Sequence, residues 1–202
     1  MFKTVLAIIF FSLGVVYFSG CSGAVYIESW KDPDYKGSKF NVIMVEVITK
    51  EHNANSYQDS MLIRTFENNV AKSLKDNGLT LIPSHLIFNI DSSYTDSSYT
   101  EILEKNLIDG VLTLEYKGTD VQKTFNAGNT LGFPWGRRIF RRRRHIEVHR
   151  YLDFTCSLEK VESGKDIWKA DAKVNAQGNL KESASELGEK LKDELIDEGL
   201  IY

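Results

Sequence analysis

The chain reads as a single domain of the α/β class with an α+β tendency: a mixed sheet in the order β-α-β-α-β-β-β-α, with helices mostly on one face. Two observations predict this. In the first half, β-branched and apolar runs alternate with segments of helical period, the pattern of strands joined by crossovers. In the second half, a long alternating stretch, a tight turn and another alternating stretch predict an antiparallel pair. The length of 202 residues, about 180 once an N-terminal leader is set aside, suits one core rather than two.

Each element has its own signal. Residues 41–49 contain the run Val-Ile-Met-Val-Glu-Val-Ile, which predicts a first strand covered on both faces. From Ser60 onward, Ile63, Phe66, Val70 and Leu74 recur at helical spacing and Gly78 marks a stop. Residues 79–82 form a short strand closed by Pro83. After a polar stretch, Ser98-Tyr99-Thr100-Glu101 is a capping box opening a short helix through Ile102, Leu103 and Leu107. Asp109-Gly110 then turns the chain into a strand over 111–116.

Residues 145–161 alternate, with Ile146, Val148, Leu152, Phe154 and Leu158 among the apolar positions. Glu162-Ser163-Gly164-Lys165 is a hairpin turn, and 167–174 is the returning strand carrying Trp168. Asn179, with Glu182 three residues on, caps a last helix whose Leu180, Ala184, Leu187, Leu191 and Leu195 form one stripe before Gly199.

The N-terminus has a different logic. Lys3 supplies a positive charge, residues 5–18 are apolar, and Ser19-Gly20 precede Cys21, which is the order of a lipoprotein signal with its lipobox. The apolar run is short of the roughly 20 residues a spanning helix needs. Phe18 stands where such signals usually carry Leu. Residues 1–20 are therefore expected to be a signal peptide and Cys21 the acylated first residue of the mature chain. Residues 21–39, with Asp32-Pro33-Asp34 and Gly37, read as a lipidated tether, and 40–202 as the globular domain. Acylation would leave Cys156 without a disulfide partner, so it is expected on the buried face of its strand as a small core residue.

The chain carries 25 basic and 28 acidic residues, a net charge of −3, and this total gives no reason to expect nucleic acid. The distribution is uneven. Seven of the eight arginines lie between Arg137 and Arg150, within or just after a predicted basic loop over 121–144. Arg137, Arg138, Arg141, Arg142, Arg143 and Arg144 are the candidate anion-binding residues, because guanidinium groups grip phosphate and carboxylate bidentately. Phe133, Trp135, Ile139 and Phe140 interleave with them. Anionic lipid, lipopolysaccharide or an acidic envelope protein would suit this chemistry; the basic charge and interleaved aromatics would also allow nucleic acid, which an exported lipoprotein rarely meets. The alternative is a solvated loop tip that binds nothing.

No catalytic constellation emerges. The sequence has neither a Gly-x-Ser-x-Gly elbow nor a phosphate-cradling glycine loop. His145, Glu147 and His149 alternate and share a strand face, but Cα atoms two apart on a strand stand roughly 6.5 Å apart and those four apart roughly 13 Å, too far for both histidines to meet one metal ion easily. His52 and His85 have no partner spacing. No cofactor or metal is expected. The rival reading is an envelope hydrolase or metal-dependent enzyme whose site is assembled from dispersed residues.

The stretch Ser29-Trp30-Lys31-Asp32-Pro33, the strand after it, and the hairpin Glu162-Ser163-Gly164-Lys165-Asp166-Ile167-Trp168 resemble a family of small, uncharacterised bacterial lipoproteins. The resemblance implies a fold similar to the amino-terminal domain of TolB and the periplasmic part of CsgG, and it brings no catalytic residues. Ser22 after the cysteine, rather than Asp, resembles lipoproteins of the outer membrane. The expectation is a non-enzymatic envelope protein held by lipid on the periplasmic face and acting as an assembly, scaffold or binding module.

Overall fold

A computed structural model describes residues 25–49, 57–75, 78–88, 94–126, 145–176 and 179–202. The elements are β1 (Tyr26–Lys31), β2 (Val42–Thr49), α1 (Tyr57–Leu74), β3 (Thr80–Pro83), a 3-10 turn (Ser84–Leu86), α2 (Asp96–Lys105), β4 (Gly110–Asn126), β5 (His145–Lys160), β6 (Lys165–Asn175) and α3 (Leu180–Asp197). The strands form one mixed sheet in the order β1-β6-β5-β4-β2-β3. β2 pairs in parallel with β3 and β4, and the remaining pairs are antiparallel. The expected fold class and the antiparallel pair are both present.

The connections explain the layering. The chain leaves β2 for one neighbour through α1, then crosses back over β2 to the other neighbour through α2. Crossovers of one hand that run in opposite directions must use opposite faces of a sheet. Phe66, Val70 and Leu74 of α1 and Leu187, Leu191 and Leu195 of α3 accordingly share the main core with Ile43, Val45 and Val47. Leu103 of α2 packs on the other face with Met44, Phe88, Ile108 and Val111. Two of the three helices therefore share a face, and α3 begins as expected, with the Asn179 side chain accepting from the N–H groups of Lys181 (2.7 Å) and Glu182 (3.4 Å).

The two helices of the main layer touch closely because of one glycine. A Cβ at Gly188 on α3 would stand 2.7 Å from Ser73 Cβ and 3.0 Å from Val70 Cα of α1. Only a residue without a side chain permits that approach. Cys156 is fully buried in the same core, as expected, and Trp168 is buried there too, its indole N–H without a partner among the described residues.

Four boundaries differ from expectation. Within 21–39, residues 26–31 are not a tether: β1 pairs with β6 from Tyr26↔Lys173 to Lys31↔Trp168. Its Ile27 packs against the core, Ser29 donates to Glu194 of α3 at 2.8 Å, and the Lys31 ammonium reaches the Glu198 carbonyl. The second helix starts earlier than the Ser98 capping box, because the Thr95 side chain already accepts the Ser98 N–H at 3.3 Å. Leu107 lies beyond that helix, exposed and at positive φ. Finally, β4 does not stop at 116 but continues to Asn126, so residues 121–126 of the expected basic loop are strand. A register shift between Tyr116 and Gly118 breaks the alternation there, and a polar strand beyond a bulge looks like loop in sequence.

Candidate functional site

Two arrangements place functional groups together. The first is internal. Glu67 on α1 is 1% exposed and its carboxylate is surrounded by donors. The Val47 N–H (3.2 Å) and the Ser84 hydroxyl (2.6 Å) reach Oε1; the His85 N–H (3.2 Å) and His85 Nδ1 (2.5 Å) reach Oε2. With the carboxylate ionised, Nδ1 is the donor of this pair. Nearby, burial and then the charge of Glu67 push the Glu46 carboxyl upward, while a hydrogen bond from Tyr99 of α2 opposes them. The Tyr99 hydroxyl is pushed far up by the same burial and by Glu46.

This cluster is bound up with the fold. β3 ends at Pro83, opposite Val45, and the Glu67 carboxylate takes the Val47 N–H where the strand neighbour has stopped. All four donors are satisfied within the protein. Sequence reading left His85 without a partner, and the structure supplies Glu67 from α1. No spacing could have shown it, since the pair meets only once α1 and β3 are packed.

Elsewhere, a shallow cavity of about 310 Å³ lies on the sheet face away from α1 and α3, between Glu28, Lys117, Asp153, Asp171 and Lys173. Both of its lysines are ion-paired. Lys173 meets Asp120 at 2.7 Å and Asp153 at 3.8 Å, Thr155 donates to Asp171 at 2.8 Å, and Lys117 pairs with Glu115. The Lys173 hydrogen bond holds the Asp120 carboxyl below its usual range. Among the described residues no group of three His, Cys, Asp or Glu side chains is placed to hold a metal ion. The Cys156 thiol is pushed up by burial, which makes it a poor nucleophile.

The second arrangement is an end of the sheet. Tyr26, the first residue of β1, is level with Lys173 of β6, Asp153 of β5 and Gly118 of β4. β6 stops at Asn175, opposite Tyr151. Among the described residues β4 and β5 alone run on, from Val121↔Arg150 to Asn126↔His145, a two-stranded ribbon that overhangs the sheet by roughly 20 Å at a strand rise of about 3.4 Å. Its outer end leads in sequence into 127–144. The start of the first strand and the stem of the arginine-rich segment thus lie at the same end of the molecule.

Cys21 and Arg137, Arg138, Arg141, Arg142, Arg143 and Arg144 lie outside the described residues, as do His52 and the side chains of His145 and Glu147. Arg150 is described: it is exposed on the ribbon, opposite Val121. His149 is on the neighbouring row, opposite Gln122. No described helix is long and apolar enough to cross a membrane.

Fold and site together define a mixed-sheet α+β domain with a protruding β-ribbon beside its N-terminal strand. No protein-family model and no curated protein matches the chain. Among solved structures it is similar to the PelC dodecamer of Paraburkholderia phytofirmans, at 12% identity over 83% of this chain and 94% of that one, with a TM-score of 0.48. It is similar to lipoprotein GNA1162 of Neisseria meningitidis at 14% identity, over 78% and 96% of the two chains, with a TM-score of 0.38. A minor lipoprotein of Acinetobacter baumannii aligns at 10% identity, over 80% and 97%, with a TM-score of 0.29.

Proposed function

We propose that this chain is a non-enzymatic envelope lipoprotein, anchored to a membrane through acylated Cys21 and working as an assembly, scaffold or binding module. The observation that carries the reading is the seating of β1. Its first residue follows Cys21 by only five positions, a reach of at most about 17 Å for extended chain. Such a short link keeps the domain against the membrane that holds its lipid, rather than letting it range from a long tether. The arginines at 137, 138 and 141–144 are the anion-binding element, and their partner is anionic lipid, lipopolysaccharide or an acidic envelope protein. Ser22 favours the periplasmic face of the outer membrane. The likeness to the TolB amino-terminal domain and the CsgG periplasmic part belongs to the same reading.

Two features support a role without catalysis. Among the described residues the most buried carboxylate, Glu67, has its oxygens occupied by internal donors, and at the shallow cavity Lys173 is taken up by Asp120 and Asp153. The test of anchoring is metabolic palmitate labelling of the full chain and of Cys21→Ser, followed by membrane fractionation. Label and outer-membrane recovery that both depend on Cys21 are expected. Unlabelled wild type, or a Cys21→Ser protein labelled to the same extent, would refute the lipid anchor.

A further inference from the structure

The ribbon formed by β4 and β5 sorts its side chains by face. Val121 stands opposite Arg150 and Lys123 opposite Val148, so all four project to one side; Asp120 opposite Tyr151 and Gln122 opposite His149 project to the other. The first side continues the core-facing side of the sheet. One row inward is Thr119↔Leu152, and Leu152 is 5% exposed, whereas Val121 and Val148 are 49% and 42% exposed. The apolar face therefore leaves the core and runs on partly exposed. Its only charged side chains among these rows are cations, while the carboxylate of Asp120 is on the opposite face, held by Lys173.

Single exposed valines are ordinary on protein surfaces. Two valines interleaved with Lys123 and Arg150 on one face of a projecting ribbon have the make-up of an interfacial element: apolar groups that enter the headgroup boundary and cations that meet its phosphates. We infer that this face is a contact surface for an anionic phospholipid bilayer, namely the membrane that holds the lipid anchor. The inference rests on the anchoring proposed above and adds the orientation of the domain.

Chain lengths argue for the same membrane rather than an opposing one. Eight residues of β4 separate the level of Tyr26, at Gly118, from the ribbon end at Asn126, about 27 Å of strand. The link from Cys21 to Tyr26 reaches at most about 17 Å. The ribbon extends farther from that level than the anchor can, at the end from which the anchor departs. An acylated chain therefore brings the ribbon to the bilayer surface, lying along it on its apolar and cationic side. Next in sequence come the arginines from 137 onward, which would add to the same electrostatic attraction.

The test is a vesicle titration of residues 21–202 with Cys21→Ser, which retain every described element and carry no acyl chain. Vesicles of phosphatidylcholine alone are compared with vesicles that also contain phosphatidylglycerol. Binding to the anionic vesicles only is expected, about fivefold weaker in Lys123→Gln or Arg150→Gln and roughly 25-fold weaker in the double variant, with residues 137–144 unchanged. Val121→Ser with Val148→Ser should also weaken it, and Gln122→Ser on the opposite face should not. These positions are exposed, and an unchanged thermal melt verifies folding. Unaltered affinity in the Lys123/Arg150 double variant overturns the inference, as does equal binding to neutral vesicles or capture by an acidic polypeptide in place of lipid. Failure of palmitate labelling removes the anchor without touching this titration, and failure of the titration removes the ribbon contact without touching the labelling.

Discussion

The Glu67 carboxylate accepts the Val47 N–H at 3.2 Å, completing the hydrogen bonding of β2 at a point where β3 has already ended at Pro83. The same carboxylate holds Ser84 and His85, so one buried side chain fixes the exit of β3 against α1. Glu67→Ala would leave buried donors without an acceptor, and we expect a loss of about 3 to 5 kcal/mol. Glu67→Gln keeps one acceptor oxygen but turns an NH₂ group toward donors, and should cost less, about 1 to 2 kcal/mol. Urea unfolding measures both, and equal stability of the Ala variant and the wild type would contradict the assignment.

Glu46 makes stability depend on pH in a defined direction. Burial, and next the Glu67 charge, raise its folded-state pKa above the unfolded value. Its neutral form is therefore favoured in the folded protein, and the associated stability is present at low pH and lost as pH rises through the folded pKa. Glu46→Gln keeps a carbonyl for the Tyr99 hydroxyl and has no charge to bury. The melting temperature of Glu46→Gln minus that of wild type should be near zero around pH 4 and become positive toward pH 7.5. A difference that is constant or falls with pH rejects this account.

Gly188→Ala sets two effects against each other. Alanine favours the helical state by about 1 kcal/mol over glycine. Its Cβ would stand 2.7 Å from Ser73 Cβ and 3.0 Å from the Val70 backbone, which requires the two helices to separate, at about 1 to 3 kcal/mol. Overpacking should win because one of the obstructing atoms is backbone. Chemical denaturation showing a stabilised variant would mean that α1 and α3 are not packed this closely.

Residues 26–31 should behave as part of the domain. Ile27→Ser removes a side chain packed against the core and should cost about 1 to 2 kcal/mol. The same change in a plain tether would cost nothing, so a superimposable urea transition would remove β1 from the fold.

Legibility in the sequence followed the range of the interactions. The last helix was readable from Asn179 and a five-residue stripe, because capping and helical period are local. The hairpin around Gly164 was readable for the same reason. β1 was not, since its strand pairing depends on β6 more than a hundred residues away and Asp32-Pro33-Asp34 beside it suggests loop. The outer half of β4 was hidden by its polar composition after the bulge at Gly118. Of the site, the cationic character near Arg150 was visible in composition. Its segregation onto one face with Val121 was not, because that depends on the register with β5. The Glu67–His85 pair was invisible, being created entirely by packing.

The orientation of the domain on its membrane is the central claim, and depth measurement on the acylated protein tests it most directly. With Cys156 buried, an environment-sensitive fluorophore can be placed selectively on Val148→Cys at the ribbon or on Ser163→Cys at the hairpin on the opposite end of the sheet. In anionic vesicles the probe at 148 should shift to the blue and be quenched by lipids spin-labelled near the headgroup, while the probe at 163 stays in water. A fully aqueous probe at 148, or quenching at 163 instead, would contradict the account.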